Sequence, residues 1–284
     1  MSTVSVTPST PSTGSTAHRP AIVLVAFGTS VDAARKVYAF IDAQARLRYP
    51  GYELQWAFTS SFIIRKLKRR GIVTHTIAEV VDALRARGFQ RIVFQSLHVV
   101  PGEEYHSIRA ADTTGLQVAF GDALLSSAAD IEATIAALAP DIDPTAATVL
   151  VAHGNAKHPQ FNKQLEAFTA AIEARFPHLV VASIEGTPGT AGLETIRNRK
   201  PSMLHFIPLL LVAGAHILNT VLGAEEDSWK NIIQAPQTRC SKALGWNKEI
   251  LAIYFAHLDR ALASLAPGRE GGSSLPTAQT VAPR

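Results

Sequence analysis

The chain has one cysteine, Cys240, in 284 residues, which leaves no internal disulfide framework and no thiolate metal cluster. Any metal chemistry must then use histidines and carboxylates. The phosphate-cradling signatures GxGxxG and GxxxxGK(S/T) are both missing, so no nucleotide is expected. Charged residues make up only 18% of the chain, and the net charge of +4 falls short of a nucleic-acid footprint. Apolar runs are too short to span a bilayer. Residues 1–20, MSTVSVTPSTPSTGSTAHRP, lack the apolar core of an export signal and read as a flexible tail, as does 266–284. A soluble, cytoplasmic protein without membrane or nucleic-acid partners is expected. A homo-oligomer is the general expectation for such a protein.

What is present is apolar and repetitive. Hydrophobic residues make up 47% of the sequence, enough for two domains of about 120 residues each. Residues 21–30 read AIVLVAFGTS and residues 147–156 read ATVLVAHGNA, identical at six of ten positions. Apolar runs predict strands at 21–26, 52–58, 91–100, 148–152, 179–184 and 202–212. Helical spacing predicts helices at 31–49, 61–70, 76–87, 131–138, 160–175, 191–199 and 248–265. This alternation gives an α/β fold: two similar Rossmann-like lobes, 21–140 and 141–265, with parallel sheets facing a central cleft. Sequence alone leaves open whether the last helix packs on the first lobe.

Ligands of open parallel sheets bind at the carboxyl ends of strands. His153 follows TVLVA, Glu185 follows VVASI, and His216 follows HFIPLLLVAGA. Two imidazoles and a carboxylate on one sheet edge suit a divalent metal and leave coordination positions open. A histidine after a strand is more often structural. Against that, the first half carries Phe27 opposite His153 and, aligning VVPGEE with LVAGAH, Glu104 opposite His216. The segment LHVVPGEEYH adds His98, Glu103, Glu104 and His106. Alternation places His98 in the third strand, with Ser96 and Val100 on its face. Gly28, Thr29 and Ser30 after the first strand, and Thr59, Ser60 and Ser61 after the second, offer backbone N–H groups and hydroxyls to anions. The basic run Arg65 to Arg70 is read as a solvated helix face rather than a steering patch.

AFGTS, AFTSSFIIRKL, LHVVPGEEYH, AHGN, LLLVAGAH and EEDSWK, in that order over about 20–260, resemble the anaerobic sirohydrochlorin cobaltochelatases. The resemblance implies a ferrochelatase-like fold and ATP-independent insertion of Co²⁺ into sirohydrochlorin for cobalamin biosynthesis. It implies His153, Glu185 and His216 as metal ligands, with His153, His216 and Glu104 catalytic. The macrocycle would lie against Phe27, Gly28, Thr29, Ser30, Thr59 and Ser60. Cobalt enters as the substrate metal. One departure is Ala215, where the family often has an acidic residue. One branch binds haem through a histidine of the LH segment, here His98, but haem is not expected. The alternatives are Fe²⁺ insertion giving sirohaem and a non-catalytic tetrapyrrole or metal carrier.

Overall fold

A computed structural model describes residues 19–265. The tails expected at 1–20 and 266–284 lie outside this range, except for Arg19 and Pro20. Arg19 is docked: its guanidinium donates to the Pro50 carbonyl at 3.2 Å and lies 5.3 Å from the Tyr52 ring centre.

The first lobe holds β1 (Ala21–Ala26), α1 (Asp32–Arg48), β2 (Leu54–Phe58), α2 (Ser61–Lys68), α3 (Ile77–Ala86), β3 (Arg91–Ser96), α4 (Glu103–Arg109), β4 (Gln117–Gly121) and α5 (Ala128–Leu138). The second holds β5 (Ala147–Ala152), α6 (Lys163–Arg175), β6 (Leu179–Ser183), α7 (Ala191–Asn198), β7 (Met203–Pro208), α8 (Trp229–Ile233) and β8 (Gln237–Cys240), followed by α9 (Lys248–Ser264). Each half builds one four-stranded parallel sheet, in the orders β2-β1-β3-β4 and β6-β5-β7-β8. Because β1 and β5 sit inside their sheets, covered on both faces by helices, they read as unbroken apolar runs. In both sheets the strand order reverses beside the first strand, so the switch points lie at β1/β3 and β5/β7.

The structure corrects the sequence reading in several places. The strands expected to run to Val100 and Val212 leave their sheets at Ser96 and Pro208. Beyond those points the apolar run is held by loops instead. Leu124 and Leu125 donate to the carbonyls of His98 and Val99, and Leu244 and Gly245 donate to those of Leu210 and Leu211. His98 is therefore a loop residue rather than a strand residue. The edge strands β4 and β8 and the short helix α4 were not expected. Their segments are brief and mix polar with apolar residues, so they show no period. Trp229 is core, packed with Ile233 and Leu193.

The last helix settles the open question. Asn247 caps α9 by accepting from the N–H groups of Glu249 (2.9 Å) and Ile250 (3.3 Å). The helix then lies across β3 and β4 of the first lobe. Tyr254, fully buried, directs its hydroxyl to the carbonyls of Leu97 and His98, each at 3.2 Å. His257 bridges the Asp122 carbonyl and the Asp130 carboxylate, both at 2.9 Å. One hydrophobic core runs from Ile22, Leu24 and Ile41 through Leu251, Tyr254 and Leu258 to Leu150, Phe168 and Ile207, so the two lobes share it.

Candidate active site between the lobes

Of the residues singled out by sequence, the structure brings His153 and His216 together most directly. Their ring centres are 5.2 Å apart and the rings stand edge to face at 84°. His153 directly follows β5 and His216 opens a single turn of π-helix, His216–Val221, after β7. They therefore occupy the switch point of the second sheet. The Nδ1 atom of His153 lies 2.8 Å from the Gly154 carbonyl. A carbonyl can only accept, so Nδ1 carries the proton and Nε2 keeps its lone pair for a cation. Partial burial lowers the basicity of His216, the neighbouring His153 lowers it further, and Glu185 opposes both. This favours the neutral ring, the form that ligates metals.

Glu185 is set beside this pair by backbone. Its N–H donates to the His153 carbonyl at 2.8 Å. The loops after β5 and β6 pack so closely that a Cβ on Gly154 would run into the Glu185 carbonyl and lie 2.9 Å from Ser183 Cβ. Gly154 also sits at φ +72°, in the left-handed region that glycine tolerates. Ser183 ties the same loop together, donating to the Gly186 carbonyl (3.2 Å) and accepting from Gly189 N–H (2.8 Å). The Glu185 carboxylate itself is exposed. Among the described residues no three histidine, cysteine, aspartate or glutamate side chains form a ready-made metal cluster. Of His153, Glu185 and His216, the two imidazoles are the pair the structure holds in contact.

The first lobe faces this site with different chemistry. Phe27, at the end of β1, is 46% exposed, one of five large apolar side chains left open among the described residues. Phe62 and Leu218, at 58% and 50%, are two more, and they too follow site loops, after β2 and beside His216. Sequence reasoning passed over both. An apolar residue in the first turn after a site loop was the available signal. Gly214 brings the His216 loop against the first lobe, where an added Cβ would lie 3.2 Å from Thr29 Oγ1.

Glu103 and Glu104, equivalent in sequence, separate in space. Glu103 reaches across to the second lobe, 3.7 Å from Lys157 Nζ and 3.5 Å from His158 Nε2. Beside it His106 packs on Phe161, with ring centres 5.4 Å apart. Glu104 is half-buried, and among the described residues no ion pair holds its carboxylate. The helix carrying both is anchored by Tyr105, whose hydroxyl donates to Asp122 at 2.9 Å.

The proposed hydroxyl loops are partly committed to structure. Thr29 and Ser60 are buried. Thr29 accepts from Val31 N–H (3.3 Å), and Ser60 caps α2 by accepting from Ile63 N–H (3.4 Å). Ser30 and Thr59 are half-buried. Gly28, at φ +106°, packs on Ile63. Arg70 is drawn out of the basic run: it donates to the Ser30 carbonyl and to Asp32, both at 2.6 Å. Arg65, Lys66, Lys68 and Arg69 stay on the solvated face of α2.

Two parallel α/β lobes, joined by one core and presenting opposed strand-end loops, give the fold that solved chelatases share. Bacillus subtilis SirB, solved with Fe³⁺, aligns with a TM-score of 0.59 at 12% identity, covering 87% of this chain and 96% of its own. CbiX, described as the terminal enzyme of sirohaem biosynthesis in denitrifying bacteria, aligns at 0.54 with 13% identity, covering 85% and 99%. More specifically, the chain belongs to the cobalt chelatase (CbiK) family, whose model matches residues 20–263. The sirohydrochlorin cobaltochelatase of Salmonella typhimurium is 34% identical over 257 residues, 86% of this chain and 97% of that protein. Sirohydrochlorin cobaltochelatase CbiKC of Nitratidesulfovibrio vulgaris is 28% identical over 265 residues, 86% and 91%. No helix among the described residues is long and apolar enough to cross a membrane.

Proposed function

We propose that this protein inserts Co²⁺ into sirohydrochlorin without a nucleotide. The observation that carries this is the His153–His216 pair at the switch point of the second sheet, in a chain matched by the cobalt chelatase family over nearly all of its described length. His153 Nε2 and His216 hold the metal on one face of the macrocycle, and Glu185 closes the set from its loop. Open coordination positions face the ring. Phe27, apolar and exposed where the second lobe has His153, forms the wall against which the macrocycle lies.

Insertion replaces two ring N–H protons with one Co²⁺, so two protons need acceptors. Glu104 is suited to take them one at a time and pass each to solvent, because among the described residues no ion pair holds its carboxylate, whereas Glu103 is engaged by Lys157 and His158. His216, whose surroundings favour the neutral ring, can take up the metal without first losing a proton.

The test is anaerobic metal insertion into sirohydrochlorin at catalytic enzyme, followed by visible absorption, with Co²⁺ and Fe²⁺ side by side. Multiple turnovers with Co²⁺, lost in His153→Ala and His216→Ala, are expected. Faster turnover with Fe²⁺ reassigns the protein to sirohaem formation. A single equivalent of product per chain, or tight macrocycle binding without product, makes it a carrier.

A further inference from the structure

The imidazole of His98 takes no part in the mechanism above, yet it is held at both nitrogens. Ser96 Oγ stands 3.0 Å from Nδ1 and Thr59 Oγ1 stands 3.4 Å from Nε2. Ser96 is buried at the end of β3, and its oxygen already accepts the backbone N–H of His98 at 3.3 Å. A buried hydroxyl proton needs an acceptor, and among the described residues Nδ1 is the one beside it. Ser96 therefore donates to Nδ1. Burial depresses the ring's pKa to about 4, so at neutral pH it carries one proton. That proton sits on Nε2 and points at Thr59.

Thr59 Oγ1 thus accepts from His98, and its own hydrogen is turned away from the ring. No acceptor for that hydrogen exists among the described residues. Thr59 lies where β2 ends, with its N–H tied to the Ala26 carbonyl at 3.0 Å, on the edge that bears Phe27. Its neighbours follow the same pattern. Thr29 and Ser60 also spend a lone pair on an N–H, leaving each a proton to offer. Arg70 is committed to Ser30 and Asp32, and Arg35 to Asp32, so neither guanidinium competes for a ligand here. A rim of oriented neutral donors suits carboxylates, which only accept.

We propose that His98 is a positioning residue: it fixes the Thr59 hydroxyl as a donor to one peripheral carboxylate of the macrocycle. This rests on the function proposed above. Oriented donors of this kind add affinity without touching the reacting nitrogens, so their loss shows in KM and leaves kcat alone.

The test compares Thr59→Val, Thr59→Ser, His98→Phe and His98→Gln in the full chain, with sirohydrochlorin and its methyl ester as ligands. Thr59→Val keeps the shape of the side chain, and His98→Gln keeps an N–H near the Nε2 position. Thr59→Val and His98→Phe are expected to raise KM for the acid about tenfold with kcat within about twofold, as for loss of one hydrogen bond to a charged acceptor. Thr59→Ser and His98→Gln stay near wild type, and the Thr59→Val penalty shrinks with the ester, whose neutral carbonyl is the weaker acceptor. If Thr59→Val changes KM for the acid by less than about twofold while wild type turns over normally, this inference alone is overturned. An equal penalty with the ester overturns it as well. Wild-type protein that neither binds nor metallates the macrocycle overturns the proposed function, and with it the occupant of this donor.

Discussion

Replacing Gly154 by alanine tests whether the close approach of two loops sets the metal site. At φ +72° any L-residue costs about 1–2 kcal/mol relative to glycine. The added methyl also runs into the Glu185 carbonyl and comes within 2.9 Å of Ser183 Cβ, so the loops must part. Relieving such a clash adds about 1–3 kcal/mol. Gly88 provides the control: it follows α3 at φ +83°, far from the site, and its added Cβ meets nothing within 4 Å. Gly88→Ala should therefore lower the melting temperature by about 3–6 °C, and Gly154→Ala by roughly twice as much. The decisive difference lies in activity. Shifting Glu185 and the His153 carbonyl apart by the better part of an ångström should cut Co²⁺ insertion about 100-fold, while Gly88→Ala leaves it unchanged. Melting by circular dichroism and turnover by absorption measure the two effects separately. A Gly154→Ala protein as active as Gly88→Ala would refute the claim that this contact positions the site.

Other perturbations separate roles within the molecule. His153→Ala and His216→Ala should each weaken Co²⁺ binding by more than about tenfold in a calorimetric titration, with little change in melting because both side chains are exposed. Glu104→Gln should lower kcat by about 100-fold or more. Glu103→Gln, which loses only solvent-exposed ion pairs, should cost less than about 1 kcal/mol of stability and little rate. Glu173 accepts the outward N–H of Val181 on the edge strand β6 at 2.7 Å, so Glu173→Ala should destabilise by about 1–3 kcal/mol in urea unfolding. His98 has a folded pKa of about 4 against an ordinary 6.5. The unfolded chain binds the proton first, so this contribution to stability is complete above about pH 6.5 and declines as pH falls towards 4. Urea melts of His98→Gln should show a shallower acid decline than wild type.

The duplicated decamers made the fold legible because β1 and β5 are buried on both faces and must be apolar throughout. The same rule hid β4 and β8, short strands at sheet edges with polar residues such as Gln117, Gln237 and Arg239. It also overextended β3 and β7, since an apolar run continues wherever the chain stays buried, in a sheet or in a loop under a helix. At the site, strand-end position was enough to single out His153, Glu185 and His216. The different partners of Glu103 and Glu104 were not readable, because Lys157 and His158 meet Glu103 only across the lobe boundary. Thr29 and Ser60 show a further ambiguity: a hydroxyl after a strand serves a helix cap as readily as a ligand.

The path of α9 has a consequence for how the protein comes into being. An amino-terminal domain ordinarily completes its fold while the rest of the chain is still being synthesised. Here the face of β3 and β4 is covered by Leu251, Tyr254 and Leu258, residues made only after the whole of the second lobe. Each such side chain contributes about 1.5–3 kcal/mol when buried, so the first lobe lacks a large part of its stabilisation until then. Throughout translation of the second half, an apolar sheet face waits uncovered, and the nascent chain depends on chaperones or on rapid completion to escape aggregation. Ribosome-stalled chains ending near residue 247 should therefore be protease-sensitive in the first lobe, and chains extended past 265 should not.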